Sequence, residues 1–237
     1  SSFRVLRELL ARIEDTQTGN VLLPALQANI PTDRQQQASA AATTLGKAVY
    51  ADLPFIGQTQ PDSTDLAELI LRRTWRPALS VIGLDGIPSL ENAGNVTLPK
   101  LSVKLSMRLP PTVDPDSAAA ALKKALLGDA PFNAKVSFEI NDTGPGWNAP
   151  KEAPWLNAAT QEASACYFGK PAMAIGEGGS IPFMGMLGKK FPKAQFMITG
   201  VLGPKSNAHG PNEFLHIPTG KKLTACVAHT IGKHFVR

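Results

Sequence analysis

The sequence predicts an α/β protein, in which an α+β module of split βαβ type precedes part of a doubly wound α/β domain. In some segments apolar residues recur at helical spacing, and in others they alternate with polar residues as in a strand. Strand, strand, helix and strand succeed one another before residues 142–154, and helices alternate with strands after them. Segment 142–154 holds three Pro and two Gly, which is typical of a linker. We therefore expect two domains, 1–145 and 146–237.

Helical spacing places Phe3, Leu6 and Leu10 on one face of the first helix, and Ser63 is the expected cap of a later one. In the clearest strand, 101–109, apolar residues alternate strictly with polar ones. The predicted helices are 1–15, 35–49, 62–73, 114–127, 156–168, 182–190 and 219–235. The predicted strands are 78–84, 101–109, 134–141, 172–175 and 195–202.

Composition excludes several classes of protein. With 237 residues, 43% hydrophobic and 18% charged, the chain is neither disordered, collagen-like nor a coiled coil. The net charge of +5 comes from scattered Lys and Arg, and aromatic residues make up only 6%, so we expect no nucleic-acid partner. No apolar stretch reaches the ~20 residues of a membrane helix. Cys166 and Cys226 are expected to be buried free thiols, which favours the cytoplasm.

A glycine-rich turn, Glu177-Gly-Gly-Ser-Ile-Pro182, lies between a predicted strand and a predicted helix. Backbone amides and a helix N-terminus at such a place can bind an anion or a polar group of a substrate. The alternative is an ordinary strand-to-helix turn. Neither a P-loop nor a dinucleotide-binding fingerprint occurs in the chain.

A second motif, residues 206–213, carries His209 in a polar loop after a predicted strand end. Open α/β sheets place their chemistry there, and a loop histidine can be a metal ligand or an acid/base. An alternative is that His209 does neither. The chain contains no His-x-Asp and no His-Glu-x-x-His, so three zinc ligands cannot be assembled from sequence. The other histidines, at 216, 229 and 234, are expected at the surface or at helix ends.

These two motifs, with residues 93–99 and 107–111, resemble the dinuclear zinc exopeptidase family. The family includes carnosine and cytosolic non-specific dipeptidases, carboxypeptidase G, acetylornithine deacetylase and succinyl-diaminopimelate desuccinylase, and the dipeptidase branch is the most similar. The resemblance spans most of residues 75–237, with four motifs in the family's order.

The resemblance implies roles for individual residues. Glu177, Gly179 and Ser180 match the loop that holds the substrate backbone. Arg108 matches the lid arginine that receives the substrate carboxylate, and its position on the polar face of a strand suits bidentate binding.

Two further roles are implied at the metal and across a dimer. His209 matches the last ligand of the two zinc ions. Asn95 or Thr97 would match a lid residue offered to the partner subunit's active site.

The implied activity is zinc-dependent hydrolysis of a peptide or N-acyl amide bond next to a free carboxylate, by a homodimer joined through its lid domains. The family's His-x-Asp motif, bridging Asp, general-base Glu and remaining acidic ligand have no match here. We therefore expect a C-terminal fragment, a lid lacking its first strand plus part of the catalytic domain, which is inactive alone. The alternative is a stand-alone dimerisation or binding module without catalysis.

Overall fold

The computed structural model describes residues 1–51, 53–179 and 181–236 and contains, within these, seven α-helices and two β-strands. The elements are α1 (Ser2–Leu10), α2 (Thr32–Leu45), α3 (Leu66–Thr74), β1 (Ala78–Asp85), β2 (Ser102–Arg108), α4 (Pro115–Leu127), α5 (Pro154–Phe168), α6 (Pro182–Lys190) and α7 (Ile217–Phe235). All seven predicted helices are present, α6 with the predicted bounds and the other six with shifted ends.

The chain divides into two compact units. The first is Ser1–Asn148 with Ile175–Met186, and the second is Ala149–Ala174 with Leu187–Arg237. The assignment of a lid domain and part of a catalytic domain stays a prediction.

The sheet of the first unit consists of β1 and β2 in antiparallel pairing. Ala78 lies opposite Arg108 and Asp85 opposite Ser102, with a bulge between Val81 and Gly83. Because side chains alternate along a strand, one face of this sheet packs on the core while Arg108 stays exposed. Both strands were predicted, β1 as a short apolar strand and β2 from its alternation.

The main core of the first unit lies between the N-terminal segment, α4 and the sheet. Arg12 joins α1 to α4, because its guanidinium donates to the Ala125 carbonyl at 3.1 Å and to the Asp129 carbonyl at 2.7 Å. Helix α4 begins at the Asp114 cap, whose carboxylate accepts from the Ser117 amide at 2.8 Å. The buried residues are Leu9, Ile13, Val21, Leu26, Ala118 and Leu126.

A smaller core joins α2 to α3 around Ile70, which is 3% exposed. The cap of α3 is Asp65, not Ser63 as predicted. Its carboxylate accepts from the amides of Ala67 at 2.9 Å and Glu68 at 3.2 Å. The Ser63 hydroxyl instead accepts from the Asp65 amide.

Helix α1 is shorter than predicted, because the chain turns at Asp15. The Asp15 carboxylate accepts from the Gln17 amide at 3.1 Å and from the Thr18 amide at 2.7 Å, and Gly19 has φ +68°. These local bonds compete with continuation of the helix.

Three predicted strands, 134–141, 172–175 and 195–202, are not formed as strands in the structure. No backbone ladder joins them to another segment in the described part of the chain. The alternation still predicts burial, since Val136 and Phe138 pack against the core while the alternate residues 135, 137 and 139 are exposed. A strand also needs a neighbour for its backbone groups, and periodicity carries no information about that neighbour.

The second unit is built on α5 packed against α7. Trp155, at the start of α5, contacts His234 at the end of α7, so the two helices run antiparallel. The Cys226 thiol is buried and donates to the Ala163 carbonyl at 3.5 Å. Cys166 is exposed, which corrects the expectation that both thiols are buried. Among the described residues, no helix is long and apolar enough to cross a membrane.

Candidate active site

Arg108 is the last residue of β2 and is exposed. Its guanidinium donates to the carbonyl of Gly178, and no described carboxylate pairs with it. Arginine has five N–H donors in a planar fork, so one carbonyl leaves several donors available. Arg108 therefore presents a charged donor group beside the glycine-rich turn.

The turn formed by residues 176–179 belongs to the first unit and leads toward α6. Glu177 and Gly179 are both exposed, on either side of the carbonyl that Arg108 contacts. The structure therefore brings three predicted residues, Arg108, Glu177 and Gly179, into one neighbourhood. Ser180 lies outside the described residues.

Asn95 and Thr97 lie in the exposed loop that precedes β2. The loop is attached to α1 by the Ser2 hydroxyl, which donates to the Leu98 carbonyl at 3.0 Å. Within the described residues, no hydrogen bond or ion pair links Asn95 or Thr97 to Arg108 or to the glycine turn. A role for either residue across a dimer stays a prediction.

His209 lies in a loop of the second unit that is closed by backbone contacts. The His216 amide donates to the Leu202 carbonyl at 2.7 Å, and the Phe214 amide donates to the Ser206 carbonyl at 3.1 Å. Glu213 accepts from the backbone N–H of His209 at 2.8 Å. This bond involves only the backbone of His209. The imidazole is exposed and has no partner among the described residues, so the ring can take a ligand.

Four non-glycine residues of this loop have left-handed backbones: Lys205, Asn207, His209 and Asn212, with φ between 54° and 62°. Such conformations cost free energy and persist where surrounding bonds impose them. Here the Asn207 side-chain amide donates to the Pro211 carbonyl at 2.7 Å, and Glu213 holds His209 as above. The backbone conformation of His209 is thus held by its own loop.

The described residues do not by themselves form a zinc site, since no three His, Cys, Asp or Glu side chains are grouped to hold a metal. His216 is used as the cap of α7, where its Nδ1 accepts from the Thr219 amide at 3.3 Å. His229 lies 3.3 Å from Glu162, whose pKa is lowered chiefly by Lys233 at 2.8 Å. That ammonium makes the pair unsuitable for a cation. The role of His209 as a metal ligand therefore stays a prediction.

The predicted motifs contain Gly178 and Glu213, but no role was assigned to either residue, and no motif pointed to Thr74. A Cβ at Gly176 would lie 3.0 Å from the Thr74 methyl carbon, so α3 supports the glycine turn. Only Glu213 had a usable signal, as the carboxylate four residues after His209. The contact with Thr74 joins segments that are far apart in the chain and depends on tertiary structure.

The sequence profile of peptidase family M20/M25/M40 matches residues 18–233. The chain belongs to this peptidase family. This confirms the expected family, of which dipeptidases and carboxypeptidases are members.

Two relatives of this M20 chain are dipeptidases. The cysteinylglycine-S-conjugate dipeptidase of Corynebacterium striatum is 35% identical over 145 residues, which cover 58% of this chain and 30% of the relative. The Cys-Gly metallodipeptidase DUG1 of Saccharomyces cerevisiae is 30% identical over 157 residues, covering 60% and 32% respectively. The matched region spans about a third of each relative.

Solved structures confirm the α/β fold class. Human carnosine dipeptidase 1 has a TM-score of 0.68 at 17% identity and is matched over 98% of this chain and 48% of its own. A metallo-carboxypeptidase of the M20 family from Sulfolobus solfataricus has a TM-score of 0.65 at 21% identity, covering 97% and 51%. The M20 chain therefore spans about half the length of these structures.

Proposed function

We propose that this chain is the part of a metal-dependent M20 peptidase that receives the carboxylate end of a substrate. The substrate would be a peptide or N-acyl amino acid whose scissile amide lies next to a free carboxylate. The observation that carries the proposal is the exposed Arg108 fork beside the glycine turn. The dipeptidase names of two relatives support the same substrate class.

Arg108 supplies the charge that such a substrate requires. A guanidinium binds a carboxylate through two parallel hydrogen bonds, which fixes both the position and the orientation of the ligand. The exposed backbone at Glu177–Gly179 would hold the adjacent amide, with Ser180 in the same role. Together these groups orient the scissile bond, which lowers the entropic part of the barrier.

The test compares a dipeptide with its C-terminal amide as substrates of a complete enzyme containing this chain. A charge-assisted hydrogen bond contributes about 1.5–3 kcal/mol, so Arg108→Ala is expected to raise KM for the dipeptide about ten- to a hundredfold. KM for the amide should change little. Lys104→Ala, at an exposed cation of the same strand, is the matched control. An unchanged preference for the free carboxylate in Arg108→Ala would refute the proposal.

His209 is proposed as one ligand of the catalytic metal, with zinc as the expected ion. Because the described residues provide no complete set of ligands, the remaining ligands would come from the rest of the complete enzyme. The complete enzyme with His209→Ala should lose bound metal, measured by elemental analysis, while His234→Ala retains it. Full metal content in His209→Ala would contradict the assignment.

We further propose that the chain is a C-terminal portion of its enzyme, located in the cytoplasm and inactive alone. Coverage of 48% and 51% of two similar solved structures and the incomplete ligand set support a partial, inactive chain. The order of the sequence motifs supports the C-terminal position, and the free thiols Cys166 and Cys226 support the cytoplasm. Dipeptide hydrolysis should be absent for the isolated chain and present in the complete enzyme. Hydrolysis by the isolated chain with added zinc would contradict this.

The homodimer is proposed to form through β1. Ile82 and Leu84 of this strand are 58% and 52% exposed, and β1 pairs only with β2 among the described residues. An unpaired apolar edge is a natural place for a second strand.

This surface also supports the second candidate, a dimerisation module without catalysis. Sedimentation should show a dimer that Ile82→Lys dissociates and that the control Ile56→Lys, at an exposed loop residue, does not. A monomer at high concentration would rule out dimerisation by the chain itself.

A further inference from the structure

The glycine turn lies against the last turn of α3. A Cβ at Gly178 would come within 2.6 Å of the Arg73 carbonyl oxygen, and one at Gly176 within 3.0 Å of the Thr74 methyl carbon. A Cβ at Gly179 would meet no atom within 4 Å. None of the three glycines has φ between +20° and +160°, so it is close approach that excludes a side chain at 178 and crowds one at 176.

We propose that the C-terminal turn of α3, through Arg73 and Thr74, is a positioning element that sets the place of the glycine turn relative to Arg108. This inference rests on the proposed function for its consequence in ligand binding. The Gly178 peptide unit is held from two directions, by van der Waals contact with the Arg73 carbonyl and by the hydrogen bond from Arg108 to its own carbonyl. The distance between the guanidinium and the turn is therefore fixed by α3.

Helix α3 is itself rigidly placed. The Thr74 hydroxyl donates to the Ile70 carbonyl at 2.8 Å, which fixes the rotamer that directs its methyl group at Gly176. Arg76, two residues before β1, donates to Glu68 at 2.6 and 3.0 Å. The Arg76 bonds hold the segment that leads into β1 against the first turn of α3, and β1 pairs with the strand that carries Arg108.

The adjacent glycines provide a matched test. Gly178→Ala must displace the turn, because the obstructing atom belongs to the backbone, whereas Gly179→Ala enters open space. The NMR chemical shifts of the Arg73 and Thr74 amides and of the Arg108 guanidinium should change in Gly178→Ala and keep their wild-type values in Gly179→Ala. Equal shift changes in the two variants would overturn the proposal.

Ligand binding tests whether this placement matters for the site. N-acetylglycine, a carboxylate next to an amide, is titrated into each variant and followed by NMR. A displacement of about 1 Å can cost up to about a hundredfold in a positioned site, and we expect affinity about tenfold weaker for Gly178→Ala. In an Arg108→Ala background the two alanine variants should bind equally weakly. If Gly178→Ala binds as tightly as the wild type, the positioning role is refuted.

A second-site variant separates positioning from general destabilisation. Thr74→Ser removes the methyl carbon 3.0 Å from the Gly176 site and leaves the next atom, Thr74 Cβ, at 3.2 Å. It should therefore partly restore the wild-type Arg108 guanidinium shifts and the affinity in Gly176→Ala, and it should not rescue Gly178→Ala. Rescue of both, or of neither, contradicts the assigned contacts. If the wild type and every variant fail to bind N-acetylglycine while the chemical shifts follow the expected pattern, the proposed function fails and the support by α3 stands.

Discussion

Replacing Arg12 by methionine tests the core that supports β2. Methionine keeps much of the aliphatic stem and removes the guanidinium that donates to the carbonyls of Ala125, Gly128 and Asp129. These acceptors lie at and just beyond the end of α4, where unpaired carbonyls and the helix dipole favour a cation.

The expected loss is about 2 kcal/mol in the free energy of unfolding. A bond from a charged donor contributes about 1.5–3 kcal/mol when buried, and two of these three are exposed, so each counts for less. The dipole adds about 0.5 kcal/mol. Arg12→Lys should lose about half as much, because an ammonium cannot reach all three carbonyls from one position.

Urea unfolding followed by fluorescence is the assay, since Trp75 of the first unit is 6% exposed and reports its unfolding. A loss of 2 kcal/mol corresponds to a melting temperature lower by about 4–8 °C. Arg7→Met, at an exposed arginine one turn earlier, should stay within about 0.5 kcal/mol of the wild type. Equal stability of Arg12→Met and Arg7→Met would refute the reasoning.

Three further predictions concern other contacts. Hydrogen bonding by Arg76 lowers the pKa of Glu68, so the ionised Glu68 carboxylate stabilises the fold fully above its unfolded-state pKa of about 4.3. This stabilisation is lost as pH falls through the folded-state pKa. The difference in unfolding free energy between the wild type and Glu68→Gln should therefore shrink on acidification. His216→Ala should destabilise α7 by about 1 kcal/mol in urea unfolding, and His216→Asn should restore most of it, because asparagine also accepts at a helix cap. Iodoacetamide should modify exposed Cys166 before Cys226, whose pKa burial raises, and peptide mapping would contradict this if Cys226 reacted first.

The parts of the fold that sequence could predict are those where one local signal suffices. The alternation in 101–109 located β2 and put Arg108 on its exposed face. Asp114 followed by Pro115 located the start of α4. In both cases the structure depends mainly on residues within the same segment.

Segment 134–141 shows where a local signal is insufficient. Its alternation correctly placed Val136 and Phe138 toward the core, yet a strand is defined by hydrogen bonds to another segment. The candidate site residues differ in the same way. Glu177 and His209 were predicted from motifs and remain predictions, whereas the contact of Thr74 with Gly176 depends on how α3 packs.

The two neighbouring glycines of the turn differ in a way that their sequence does not reveal. Gly178 is required because the α3 backbone leaves no room for a Cβ, while Gly179 faces open space. In the proposed site, one glycine lets the turn pack closely on its support and the other leaves its backbone open to a ligand. The Gly-Gly pair therefore meets two separate requirements, close packing on α3 at Gly178 and open backbone at Gly179. Arg108 donates to the carbonyl of Gly178, next to both.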